Sequence, residues 1–346
     1  MRYVIIGAGS IGGAIAARLA MRSPNSPLVV ARGGRADALR SGGLRLRTPD
    51  EDTTVRVDVA TSPEGAALRE DDVLILATKT HQADEALREW ADAPVHDGSG
   101  DVVGSAGALL PVFTALNGVE AERIALRYFA RVYGVTVWMP AVSLEPGEVV
   151  VRIAPTIGIL TIGPIPASGS PTDDSMLETL REDFATAGID VYLEQDVMPW
   201  KYFKLLTNLS NGLQALLGPD ASFRDLSTAL RDEAVEVYRA AGIEWTSDED
   251  ERARRGDMFD SRPVPGVEHA LGGSSWQSIA RGSGSIETDY LNGEIVRIAR
   301  AAGATAPRNA LVQRLARVAA RDHVEPGTLG VEELREQFAA LEFRLG

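Results

Sequence analysis

Over the first 196 positions, short runs of consecutive apolar residues alternate with longer stretches in which apolar positions recur every three or four residues. This is the pattern of strands and helices interleaved in a doubly wound parallel sheet. The runs predict strands at 3–6, 28–31, 73–77, 109–116, 149–153 and 189–193, with a helix at 11–21. Between the strands near 76 and 110, the Gly-, Ser- and Asp-rich stretch PVHDGSGDVVGSAGA reads as a mobile surface insertion. A second breaker-rich stretch, GPIPASGSPTDD at 163–174, precedes a helix and the last strand. Beyond about 196 the strand signal fades, and helices are predicted at 200–217, 227–241, 286–302, 307–320 and 331–341. The acidic run at 247–251 reads as a solvated helix end. The expected organisation is an α/β Rossmann-type N-terminal domain at 1–196 and an all-α C-terminal domain at 197–346.

Composition narrows the function classes. With 35 basic and 49 acidic residues the net charge is −14, and no basic run offers a nucleic-acid surface. Zero cysteines removes disulfides, thiolate metal sites and cysteine nucleophiles, and a cytoplasmic setting with no metal is expected. The apolar start could pass for a signal peptide, but glycines break it at strand-to-helix spacing. No stretch reaches the roughly 18 apolar residues of a membrane span, so no membrane partner is expected. Only Lys79, Lys201 and Lys204 are lysines, against 32 arginines. These three become candidates for roles that need a compact, deprotonatable cation.

The strand YVII runs into Gly7, Ala8, Gly9, Ser10, Ile11 and Gly12 and then a helix, which is the G-x-G-x-x-G fingerprint in its required context. Gly7 permits a tight turn, Gly9 lets a pyrophosphate approach the backbone, and Gly12 lets helix and strand pack. The helix N-terminus supplies amide donors. The second strand ends at Arg32, where an NAD or FAD site usually carries an acidic residue. A guanidinium suits a 2′-phosphate and favours NADP, the alternative being a solvated loop arginine. Thr78 and Lys79 follow the strand at 73–77, and Asn117-Gly118 ends the next, both at the carboxyl edge where such sheets bind ligands; either pair could be ordinary turn residues. From Trp200, the residues Lys201, Lys204, Asn208 and Asn211 fall on one stripe of a helix, either a cleft wall or a solvent face.

Taken in order, these features resemble the ketopantoate reductase (2-dehydropantoate 2-reductase) family. The resemblance rests on Gly7 to Gly12, Lys79, Asn117-Gly118, the K-L-x-x-N string Lys204 to Asn208, and Ser275 followed twelve residues later by Glu287-Thr288-Asp289-Tyr290-Leu291-Asn292-Gly293. It implies a Rossmann domain joined to a helical domain like that of 6-phosphogluconate dehydrogenase, with NADP(H) and a small 2-oxo acid in the cleft between them. It further implies reduction of ketopantoate in pantothenate biosynthesis, and is compatible with a homodimer. By position, Lys204 resembles the catalytic general acid, with Glu287 as its catalytic partner. Ser275, Asn208 and Asn211 resemble substrate-binding residues. Gly7, Gly9, Ser10, Ile11, Gly12, Arg32, Thr78, Lys79 and Asn117 are the cofactor-binding set. Two departures stand out: Gly272 and Gly212 occupy positions where ketopantoate reductases commonly carry asparagine. Missing side chains there are expected to enlarge or depolarise the pocket and weaken discrimination for the substrate hydroxyl.

Overall fold

The computed structural model describes residues 1–167, 173–218, 220–256, 261–267, 276 and 286–342. The chain forms two compact units, one of Met1–Leu116, Glu120–Lys201 and Ser247–Val267, the other of Asn117–Val119, Tyr202–Thr246 and Glu268–Gly346. A single cut at 196/197 does not describe this partition, because the chain crosses over for three residues at Asn117 and the first unit reclaims 247–267.

The first unit is built on an eight-stranded sheet. Its strands are β1 (Arg2–Ile6), β2 (Leu28–Val30), β3 (Asp58–Ala60), β4 (Asp72–Leu76), β5 (Pro111–Thr114), β6 (Arg131–Trp138), β7 (Gly158–Ile165) and β8 (Ile189–Leu193), lying in the order β3-β2-β1-β4-β5-β6-β7-β8. All neighbours pair in parallel except β6 and β7. Tyr3 and Ile5 enter one apolar cluster while Val4 and Ile6 enter another. Burial of both faces is why these strands read as unbroken apolar runs rather than as alternation. Helices α1 (Ser10–Arg22), α2 (Gly33–Gly42), α3 (Ala83–Ala91), α4 (Glu120–Ala125) and α5 (Asp174–Thr186) connect the strands.

Two expectations are corrected here. The run at 149–153 does not continue the main series; Glu148–Val151 pairs with Leu44–Arg47 in a separate four-stranded sheet. The insertion expected to be mobile is an ordered hairpin, Pro94–His96 against Val102–Ser105, in a three-stranded sheet. Its tip is stiffened by Asp97, whose Oδ1 accepts from Ser99 N at 2.8 Å and Asp101 N at 3.0 Å, an Asx turn made from the residues that suggested disorder. Of the breaker-rich stretch 163–174, the first three residues close β7, and 168–172 lie outside the described residues.

Among the described residues the second unit is entirely helical. It takes most of α6 (Met198–Asn208), then α7 (Ser210–Leu217) and α8 (Arg224–Ala241). The helix expected at 200–217 runs as α6 and α7, with Leu209 between them in helical backbone angles. The next helix, α9 (Asp248–Arg255), belongs to the first unit, where the Arg254 guanidinium lies 3.4 Å from the Trp200 ring centroid and donates to Glu194 at 2.5 Å. The acidic run opens α9 with Ser247 as N-cap and 248–250 exposed, but its last residue, Glu251, is buried and paired with Arg255 rather than solvated. Helices α10 (Asn292–Ala301), α11 (Pro307–Arg321) and α12 (Val331–Glu342) complete the second unit. No helix among the described residues is long and apolar enough to cross a membrane, and none of their side chains cluster as a metal site.

Candidate active site

In the first unit, β1 delivers the chain into the glycine turn. Gly7 has φ +107°, and a Cβ there would lie 2.8 Å from the Ala77 carbonyl oxygen. A Cβ on Gly12 would come within 2.0 Å of the Gly7 carbonyl oxygen and 3.0 Å of Ile5. Both glycines are therefore required by close approach of backbone to backbone. Gly9, the N-cap of α1, is different: a Cβ there would meet nothing within 4 Å, so open space lies in front of the helix N-terminus. Ser10 and Ile11 form the first turn, which carries no acidic residue and no side-chain cap, leaving its field suited to an anion. The turn is also held from the side by Arg35, whose Nη1 donates to the Ala8 carbonyl at 2.9 Å and to Ser143 Oγ at 3.0 Å. Sequence reasoning missed Arg35; its signal is a second arginine one turn into the helix that Arg32 caps.

Arg32 is more than half exposed and its guanidinium pairs with Glu89 of α3, the contact to Oε1 being 2.5 Å. At the end of β4, Thr78 Oγ1 is buried with no hydrogen-bond partner. Lys79 follows as the N-cap of a 3₁₀ turn, its amide donating to Gln82 Oε1 at 3.2 Å. An open anion-binding helix terminus, an orphaned hydroxyl and an exposed guanidinium thus share one end of the sheet. They fit a dinucleotide.

In the second unit, α6 carries Lys204, half-buried, and ends at buried Asn208, whose Nδ2 donates to Asn117 Oδ1 at 3.0 Å. The Asn117-Gly118 turn lies against the 3₁₀ turn Glu287–Tyr290, because Gly118 has φ +80° and a Cβ there would stand 2.9 Å from the Tyr290 carbonyl oxygen. Glu287 opens that turn and is 4% exposed. Lys204, Asn208, Asn117 and Glu287 are therefore carried by three short segments of one compact unit.

A buried polar network packs around the join between α6 and α7. Asn292 Nδ2 donates to the Leu209 carbonyl at 3.2 Å and to Asn309 Oδ1 at 3.0 Å. Asn309 in turn donates to Glu233 at 2.8 Å, and Glu233 accepts the Arg308 and Asn309 amides at the start of α11. Much of the Glu287 to Gly293 motif is accordingly structural: Asp289 accepts from Gln313, Asn292 binds the Leu209 carbonyl, and Gly293 leaves room for Gln313.

Two expected features are revised. Lys201 is not on a cleft wall but is 2% exposed in the first unit, paired with Glu122 at 2.7 Å. Glu122 was not singled out, although an acidic residue amid the apolar positions of a short helix was its signal. Gly212 does not open a pocket; a Cβ there would lie 2.7 Å from Val312 Cγ1 and 3.0 Å from Asn292 Oδ1, so glycine is what lets α7 and α11 pack. Asn211, beside it, is half-buried in α7. Ser275 and Gly272 lie outside the described residues.

Two family models divide the chain between them: ketopantoate reductase PanE/ApbA matches residues 3–167, and ketopantoate reductase PanE/ApbA C terminal matches 196–320. The chain belongs to the ketopantoate reductase family. That makes it an oxidoreductase with an α/β dinucleotide-binding portion and a helical C-terminal portion. It is 27% identical over 323 residues to a 2-dehydropantoate 2-reductase of Pyrococcus horikoshii, covering 91% of this chain and 96% of the relative. A Mesorhizobium japonicum protein of the same name is 28% identical over 345 residues, covering 91% and 98%. A PanE/ApbA family ketopantoate reductase from Ralstonia eutropha JMP134 superposes with a TM-score of 0.72 at 24% identity, covering 93% and 99%. D-mandelate dehydrogenase with NADH and anilino(oxo)acetate gives the same TM-score at 18% identity, again covering 93% and 99%. These two structures share the fold.

Proposed function

We propose that the protein reduces a 2-oxo acid with NADPH, ketopantoate to pantoate first among candidates, and that Lys204 is the proton donor. The observation that carries the reading is the Asn208–Asn117 hydrogen bond in the helix turn that follows Lys204, which brings the family's lysine helix and its Asn-Gly turn together in one unit. The amides of α1 at Ser10 and Ile11 would hold the pyrophosphate, Arg32 the 2′-phosphate, and Thr78 with Lys79 and Asn117 the nicotinamide end. The cofactor, when bound, supplies a hydride to the carbonyl carbon.

Charge then develops on the substrate oxygen. An ammonium at hydrogen-bond distance stabilises that charge and passes a proton to it, leaving a hydroxyl on carbon and a neutral amine that solvent reprotonates. A free lysine side chain has a reference pKa of about 10.4, so it is protonated at neutral pH, as reduction requires. Buried Glu287 would hold the substrate hydroxyl and favour the charged amine, with Asn208, Asn211 and Ser275 completing the substrate set. The experiment is NADPH oxidation by the purified protein against a panel of 2-oxo acids, ketopantoate and larger aromatic acids included. Turnover of ketopantoate with kcat/KM of at least about 10⁴ M⁻¹s⁻¹ is expected; absence of turnover with every acid would overturn the reading.

A further inference from the structure

Lys201 and Glu122 form a buried ion pair whose side chains are 1% and 2% exposed. Thr114 Oγ1 donates at 2.5 Å to the same carboxylate oxygen that Lys201 meets, while Glu122 Oε2 has no hydrogen-bond partner. The attraction within a buried pair is largely offset by desolvation, and an unsatisfied carboxylate oxygen makes the balance worse, so stability alone is a poor reason for it.

The pair's effect on the backbone is specific. Lys201 Nζ donates to the carbonyls of Leu116 at 3.2 Å and Val135 at 3.1 Å. Leu116 precedes Asn117, and Asn117 Oδ1 accepts from Asn208. Lys201, Lys204 and Asn208 stand at i, i+3 and i+7 of α6, which places them on one face. The segment 116–117 is therefore fastened to that face at two points, three residues before Lys204 and four residues after it. Arginine could not substitute, since its planar fork does not converge on two carbonyls and a carboxylate as an ammonium does.

We propose that Lys201, held by Glu122, is a positioning residue for the reduction, fixing through the Leu116 carbonyl the Asn117 turn alongside Lys204. The inference rests on the reading of Lys204 as proton donor. The test is the double variant Lys201→Met/Glu122→Leu, which removes both charges together. Two measurements are made: hydrogen exchange of the cofactor-free protein, and kcat and KM with NADPH and ketopantoate. Faster exchange confined to about 112–119 is expected, with kcat about 10- to 100-fold lower and substrate KM little changed, since small misplacements of a positioned group cost on that order. Wild-type exchange with wild-type kcat, or accelerated exchange across the whole first unit, would overturn the proposal. If the variant does not fold, Lys201→Met/Glu122→Gln keeps an acceptor for Thr114 and is judged by the same criteria. Lys204→Ala in parallel separates the two readings: full activity there contradicts the proton-donor assignment, while the exchange measurement still decides the role of Lys201.

Discussion

On the proposed reading, a single side chain, Arg32, chooses the cofactor. Its guanidinium is exposed and its partner Glu89 is itself partly exposed, so the existing pair is weakly held and a phosphate dianion competes for it at little cost. Arg32→Ala is expected to weaken NADPH binding by about 1.5–3 kcal/mol while leaving NADH almost unaffected. Calorimetric titration of both cofactors into both proteins checks this, and equal affinities in the unmodified protein would refute it. Gly212 makes the opposite point. The family resemblance implies a polar side chain here, but its Cβ position is filled by Val312 and Asn292. Gly212→Asn should therefore cost about 1–3 kcal/mol by overpacking, read as a lowered denaturation midpoint with no gain in substrate affinity. Unchanged stability with a lower KM would restore the pocket reading.

At the scale of elements, the join between α6 and α7 depends on groups distant in the chain. Asn292→Leu removes the donor to the Leu209 carbonyl and to Asn309, each lost buried bond costing about 1–3 kcal/mol. Chemical denaturation should show that loss, accompanied by faster hydrogen exchange around 205–212; a variant as stable as the parent would contradict the network's role. This join also shows where sequence reading stops. The 3.6-residue pattern runs unbroken across Leu209, whose backbone is itself helical, and nothing in it announces that the Leu209 carbonyl is bound by a side chain more than eighty residues away. Strands β1 and β8 were legible because both are short and apolar, whereas β6 and β7 carry glycines that read as breakers. Those glycines answer to packing: a Cβ on Gly134 would strike Val197, and one on Gly163 would come within 2.6 Å of the Glu194 carbonyl oxygen. The site lettering was more legible than its division of labour. The K-L-x-x-N string sets Lys204 apart from Lys201, but helical spacing puts both on one stripe, and it is burial against Glu122 that gives Lys201 a different environment.

On the scale of the whole molecule, the first unit closes its sheet against α5 through two phenols. Tyr3 donates to Asp183 at 2.7 Å, and Tyr133 donates to Asp173 at the start of α5. Burial, reinforced by the adjacent carboxylates, raises both phenol pKa values well above the ordinary value of 10. The fold therefore holds them neutral, while the unfolded chain ionises them near their ordinary value. Their contribution is fully present below about pH 10 and is lost as pH rises beyond it, by about 1.4 kcal/mol per pH unit for each phenol. Melting temperature should fall steeply above about pH 10, and Tyr3→Phe/Tyr133→Phe should flatten that decline; an equally steep decline in the variant would assign it to other groups.

The account as a whole stands on Lys204 delivering the proton. Steady-state reduction of ketopantoate by NADPH, compared between the protein and its Lys204→Ala variant with the NADPH dissociation constant of each measured alongside, tests this most directly. The expected result is a loss of about 10²- to 10⁴-fold in kcat with cofactor affinity nearly unchanged, as for removal of a group that acts in the transition state. A Lys204→Ala variant that turns over at the parent rate would contradict it.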